Sequence, residues 1–76
     1  MTAHVLDVRH LLCPMPVIRL QNTVARLPVG DTVEVQATDP GVLHDVPAWC
    51  RVHGHQVLSV SETAGEIRVT VQVQGS

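Results

Sequence analysis

The C-terminal part of the chain alternates apolar and polar residues with a period of two. Its apolar positions are Ile67, Val69, Val71 and Val73, and its polar positions are Arg68, Thr70, Gln72 and Gln74. Such alternation is typical of a β-strand with one face in the core and the other in water. A second segment, Val33–Ala37, alternates in the same way. The chain must therefore cover the apolar side of a sheet with other apolar elements.

The material for that cover is limited. The chain has 76 residues and one aromatic residue, Trp49, so its core must be built from Val, Leu, Ile and Ala. A chain of this size buries only about 60% of the surface that it exposes when unfolded. We therefore expect a single domain over residues 1–76, with small elements packed in two layers.

The remaining elements follow from periodicity and turn residues. A strand is expected at Val5–Val8 and a helix after Cys13, which Pro28 and Gly30 end. Val42–His53 is expected to form a second helix that stops at Gly54. Because Pro47 lies inside it, either its first turn is separate or the helix starts near Pro47 with Asp45 as cap. A strand at Gln56–Glu62, a turn at 63–66 and the final strand complete the chain.

The element order β-α-β-α-β-β predicts the fold class α+β. We expect a two-layer α/β sandwich in which a four-stranded mixed sheet carries both helices on one face. Two of the strands form a hairpin. The Val-rich final strand is also expected to be able to pair with another chain at a sheet edge.

Charge and cysteine content exclude several classes of function. The net charge is −2, with five Arg, no Lys and no basic cluster, so direct binding of nucleic acid is not expected. No stretch approaches the ~18 apolar residues that would span a membrane. Two cysteines far apart make no disulfide framework, and no secretory signal is present. We expect a cytoplasmic protein with two thiols.

Chemistry is expected at Cys13, which precedes Pro14 and Pro16 at the start of the first helix. Proline fits the first helical turn, because the N–H that it lacks would have no partner within the helix. The N–H groups of Met15 and Val17 would then be free to face the sulfur. The positive end of a helix favours thiolate, so the pattern predicts a lowered pKa for Cys13.

Arg9 and His10 lie just before this segment. If they reach the sulfur, they add positive charge and electrostatic support for a thiolate. A persulfide at the same position would be held ionised and ready to transfer its outer sulfur.

Several stretches together resemble the TusA family of sulfur-transfer proteins, also called SirA-like. The stretches are Leu6-Asp7, Arg9, Leu11, Cys13-Pro14-Met15-Pro16-Val17, Thr38-Asp39-Pro40-Gly41, Asp45-Val46-Pro47-Ala48-Trp49-Cys50 and Gly54-His55. They cover nearly the whole chain in order. The chain departs from the family at His10, where the family usually has Gly, and in lacking the Lys residues often found along the first helix.

The resemblance implies a function. Family members carry sulfane sulfur on the cysteine of a C-P-x-P motif, so Cys13 would be the carrier residue. The donor would be a cysteine desulfurase or a rhodanese-like enzyme, and a downstream protein would accept the sulfur for tRNA thiolation, cofactor biosynthesis or sulfur oxidation. The chain would thus be a sulfurtransferase only in the sense of a protein-bound relay, without a cofactor.

Other interpretations remain open. The chain could be a thiol-based regulatory or interaction module without persulfide transfer, or a redox protein in which Cys13 and Cys50 form a disulfide. Cys50 and Trp49 are expected in the core. Asp39 and Asp45 are expected to be helix caps and not an acid–base pair. The five His and two Cys match no zinc signature, so no metal site is expected.

Overall fold

The computed structural model describes residues 1–74. Its elements follow the order β-α-β-α-β-β. The strands and helices are β1 Ala3–Asp7, α1 Met15–Val24, β2 Thr32–Ala37, α2 Val42–His53, β3 Gln56–Thr63 and β4 Glu66–Gln72. β1 begins two residues before the predicted strand Val5–Val8 and ends one residue before its end. β3 ends one residue after the predicted end at Glu62.

The four strands form one mixed sheet with the order β1-β2-β4-β3. β1 and β2 are parallel and are connected by α1, whereas β4 is antiparallel to both β2 and β3. The predicted fold class is therefore confirmed. The expected edge pairing of the final strand is wrong, because β4 lies in the interior of the sheet and its hydrogen-bonding groups pair with β2 on one side and β3 on the other.

The core lies between the two helices and one face of the sheet. The fully buried sheet residues are the apolar members of the alternating strands, including Val35 opposite Val69. The helices contribute Leu20, Val24, Val42, Val46 and Cys50. The polar members of β2 and β4 point away from the helices, as the period of two predicts.

The first helix is shorter than its apolar spacing suggests. After Val24 the chain forms a tighter helical turn, in which the N–H groups of Arg26 and Leu27 donate to carbonyl oxygens three residues earlier. Pro28 disfavours helical geometry in the residue before it, which explains why the regular helix stops ahead of Leu27. Leu27 still packs against the core from this turn.

The second helix runs without interruption from Val42 to His53 and contains Pro47. Both expected alternatives, a separate first turn and a start near Pro47 with Asp45 as cap, are therefore wrong. The first N–H groups of the helix donate to the carbonyl oxygens of Asp39, Pro40 and Gly41, so the helix is already formed before Pro47 removes one donor. It ends at Gly54 as predicted, with φ of 79°.

The hairpin turn between β3 and β4 contains two residues, Ala64 and Gly65. Both have positive φ, 52° and 79°. Two-residue turns of this kind match the right-handed twist of the flanking strands. The turn sets the pairing of Thr63 with Glu66 and thereby directs Ile67 into the core.

Candidate functional site around Cys13

The loop between β1 and α1 is fastened to the sheet before it reaches Cys13. The N–H of Val8 donates to the carbonyl of Gln36 at 2.8 Å, and the N–H of His10 donates to Oγ1 of Thr38 at 2.8 Å. His10 has a φ of 70°, in the left-handed region that favours glycine. A glycine at this position would adopt this conformation without the strain that a side chain causes.

Cys13 lies exposed directly before α1. Pro14 is the N-cap residue and Pro16 the second helical residue, so both prolines lie at the helix start as expected. The Met15 N–H donates to the carbonyl of Leu12 at 2.9 Å. The prediction that this N–H is free to face the sulfur is therefore wrong. Pro16 is buried and Val17 packs against the core, which anchors the helix start.

Two carboxylates contact Cys13. The sulfur donates a hydrogen bond to Oδ2 of Asp45 at 2.8 Å, and the Cys13 N–H donates to Oδ2 of Asp39 at 2.7 Å. The other oxygen of Asp39 accepts the N–H of Gly41 at 3.0 Å. Asp39 therefore joins the Cys13 loop to the start of α2, and Asp45 reaches the sulfur from the first turn of α2.

This geometry reverses the predicted ionisation of Cys13. The hydrogen bond to Asp45 raises the pKa of the Cys13 thiol, and partial loss of hydration and the negative charges of Asp45 and Asp39 act in the same direction. The expectation of a lowered pKa is wrong because it counted only the helix start. A carboxylate in direct contact stabilises the protonated thiol and repels the thiolate.

The expected positive charges are directed elsewhere. Arg9 forms a double hydrogen bond with Asp7, with both nitrogen–oxygen distances at 2.9 Å, and lies 3.8 Å from Glu66. The same pair lowers the pKa of Asp7 to about 2 and raises that of Arg9. Among residues 1–74, neither Arg9 nor His10 forms a hydrogen bond with the sulfur of Cys13. Arg9 thus binds Asp7 at the end of β1, and the side chain that is hydrogen-bonded to the sulfur is the carboxylate of Asp45.

The sequence interpretation missed Asp39 and Asp45 as parts of the site. Asp45 was expected to be a helix cap, but the N-cap of α2 is Gly41 and no side chain caps it. Asp39 does bind the Gly41 N–H, so its expected capping role is close to what the structure has. Both residues belong to the stretches that carry the family resemblance, which was the available signal.

Cys50 and Trp49 have different surroundings. Cys50 is buried, and burial raises the pKa of its thiol to about 11. Trp49 is only partly buried and packs against the core, with His55 stacked at 5.1 Å and His53 at 5.0 Å between ring centroids. Trp49 therefore packs against the core as expected, but it lies at the edge of the core and not inside it. Both cysteines are free thiols, one exposed and one buried.

Within residues 1–74, no group of three or more His, Cys, Asp or Glu side chains is placed to hold a metal ion. None of the helices in that range has the length and apolar character needed to cross a membrane.

The fold matches that of a solved structure. The chain superposes on the crystal structure of the SirA-like protein from Desulfitobacterium hafniense with a TM-score of 0.84 and 26% identity. The match covers 95% of this chain and 99% of that one. The chain thus has the SirA-like α/β sandwich.

Sequence comparison assigns the family. The model of the family "Sulfurtransferase TusA" matches residues 4–73, so the chain belongs to the TusA family. The sulfur carrier protein TusA of Pseudomonas putida strain GB-1 is 43% identical over 61 residues, which cover 80% of this chain and 76% of that protein. A Neisseria meningitidis relative, named as a candidate sulfur carrier, is 40% identical over 72 residues, 95% of this chain and 97% of that protein.

Proposed function

We propose that this protein is a cytoplasmic sulfur carrier that holds sulfane sulfur as a persulfide on Cys13. A cysteine desulfurase or a rhodanese-like protein would supply the sulfur, and a downstream acceptor protein would receive it. The observation that carries the proposal is the position of Cys13 in a C-P-x-P segment, exposed before a helix of a TusA-family chain. An exposed sulfur on a small domain can enter the active site of a larger partner.

The proposed transfer balances without an added oxidant or reductant. The Cys13 thiol loses its proton, and the thiolate attacks the outer sulfur of the donor's persulfide. The donor's sulfur–sulfur bond breaks and its cysteine leaves as a thiolate, while a new sulfur–sulfur bond forms on Cys13. Later, an acceptor thiolate attacks the outer sulfur of the Cys13 persulfide, and Cys13 leaves as a thiolate. The sulfur moves as a neutral atom and the proton goes to solvent or to the leaving thiolate.

The buried cysteine is a poor alternative carrier. Cys50 is 1% exposed in α2, so a donor persulfide cannot reach its sulfur in the folded protein. Cys13 is exposed, so a donor persulfide can approach it directly.

Mass spectrometry of the intact protein tests the proposal. After incubation with a desulfurase and cysteine, or with a rhodanese and thiosulfate, the wild-type protein should gain the mass of one sulfur atom on Cys13. Cys50→Ala should gain it as well, whereas Cys13→Ser should not, with its fold intact because Cys13 is exposed. Loading that persists in Cys13→Ser and disappears in Cys50→Ala would refute the assignment. No loading with either donor would favour the regulatory or interaction module.

A further inference from the structure

Cys13 is held by two carboxylates that come from a different part of the chain. The Asp45 contact is made by the sulfur itself at 2.8 Å, whereas the Asp39 contact is made by the backbone N–H at 2.7 Å. The two residues therefore act differently. Asp39 fixes where the loop lies, and its hydrogen bonds lower its own pKa, so it stays charged near neutral pH. Asp45 acts on the reacting atom.

Within residues 1–74, neither Asp39 nor Asp45 forms an ion pair with a cationic side chain. Arg9, on the same loop, is bound to Asp7 and lies near Glu66. His10 lies on the same loop and exposed His44 precedes Asp45 in α2, and within residues 1–74 neither side chain is hydrogen-bonded to the sulfur or to Asp45. The sulfur of the free protein is thus in contact with the carboxylate of Asp45, and the carboxylate of Asp39 binds the backbone N–H of Cys13.

A thiol in this setting is stabilised relative to a thiolate. Ionisation would replace a hydrogen bond by contact between two negative charges, which is costly where water only partly screens them. Yet sulfur exchange needs the thiolate. Neutralising the charge of Asp45 would therefore favour sulfur exchange.

We propose that Asp45 favours the protonated, less reactive form of Cys13 in the free carrier, and that sulfur-exchanging partners favour the thiolate by placing a cationic side chain against Asp45. This inference rests on the proposed function. A guanidinium or ammonium group of the partner would take over the carboxylate, the thiol proton would pass to solvent, and the thiolate would attack the partner's persulfide. The surface that such a partner meets combines the two carboxylates with exposed Leu12 and Met15 on either side of Cys13 in the chain.

The apolar side chains add to the effect of the cation. Leu12 is 73% exposed and Met15 38% exposed. Covering them on docking removes water from the neighbourhood of Asp45, and an ion pair is stronger where water is excluded. The carrier would thereby distinguish a docked partner from a small thiol or oxidant in solution.

The ionisation of Cys13 can be measured without any sulfur donor. In a Cys50→Ala background, the pH dependence of iodoacetamide alkylation would be followed for Asp45→Asn and for Glu34→Gln. Glu34 lies on the sheet face opposite the helices, so its replacement removes one charge away from the site. Asp45→Asn should titrate at lower pH and react roughly three- to tenfold faster at pH 7, while Glu34→Gln should match the parent.

The negative charge that Asp45 places at the sulfur is tested with charged methanethiosulfonate reagents. The parent should react faster with the trimethylammonium reagent than with the sulfonate reagent, and Asp45→Asn should lower that preference several-fold. Asp45→Glu should keep it, and circular dichroism should show that each variant is folded. An unchanged rate, titration and preference in Asp45→Asn would overturn the inference.

Persulfide loading of the same proteins separates the two proposals. If the parent loads sulfur but Asp45→Asn does not change the ionisation of Cys13, the role of Asp45 is wrong and the carrier function stands. If Asp45→Asn behaves as expected but the parent loads no sulfur from either donor, the control of the thiol stands and the carrier function is wrong.

Discussion

The burial of Cys50 predicts a loss of stability in alkaline solution. Its thiol is 1% exposed among the apolar residues of α2 and the sheet, and burial raises its pKa from 9.0 to about 11. In the unfolded chain the thiol ionises near its ordinary value. Between those two pH values the folded state binds more protons than the unfolded state, so the free energy of unfolding falls as pH rises.

The size of the loss follows from the shift. Stability from this group is complete below about pH 8.5 and is lost as the pH rises through the folded pKa of about 11. A difference of about two pKa units corresponds to about 2.7 kcal/mol. Roughly half of that loss should be reached by pH 10. A domain of this size has a total stability of roughly 4–11 kcal/mol, so the effect should be large enough to measure.

Urea unfolding at a series of pH values between 7 and 11 measures the loss. Other groups also titrate in this range, so the quantity to compare is the difference between the wild-type protein and Cys50→Ala. Cys50→Ala is less stable at pH 7 because it leaves a small cavity, but it lacks the ionisation and should approach the wild type as the pH rises. Cys13→Ser should retain the Cys50-dependent decline. A difference between wild type and Cys50→Ala that stays constant from pH 8 to 11 would refute the reasoning.

Two further predictions concern side chains whose environments the structure revealed. His10→Gly should stabilise the protein by roughly 0.5–1 kcal/mol, because the strain that glycine removes at a φ of 70° exceeds the entropy that a glycine loses on folding. His10→Ala should give no such gain, and equal stability of the two variants in thermal unfolding would contradict this. Trp49→Ala should cost roughly 1.5–3 kcal/mol, below the ~3–5 kcal/mol of a fully enclosed Trp, because Trp49 lies at the core's edge against His53 and His55. Trp49→Phe, which keeps an aromatic ring at this position, serves as the control. An unfolding midpoint of Trp49→Ala equal to that of the wild type would show that packing of Trp49 against the two histidines contributes nothing to stability.

The sequence by itself determined the elements and their layers. Alternation in β2 and β4 is a local property with a period of two, and it assigns each residue to the core or to solvent before any strand is paired. The stop at Gly54 is equally local, because the left-handed conformation that ends a helix is readily reached by glycine. The position of Cys13 before a helix also followed from its neighbours in the chain.

Only the tertiary structure decided the order of the strands and the charge around the sulfur. The central position of β4 depends on which strands pair across the whole chain, and no period within β4 encodes it. Asp45 is 32 residues from Cys13 in sequence, yet their side chains are 2.8 Å apart. The pKa of a thiol depends on distances to charges and on burial, and both are set by folding. The local helix start therefore predicted a lowered pKa, and the contact with Asp45 raised it.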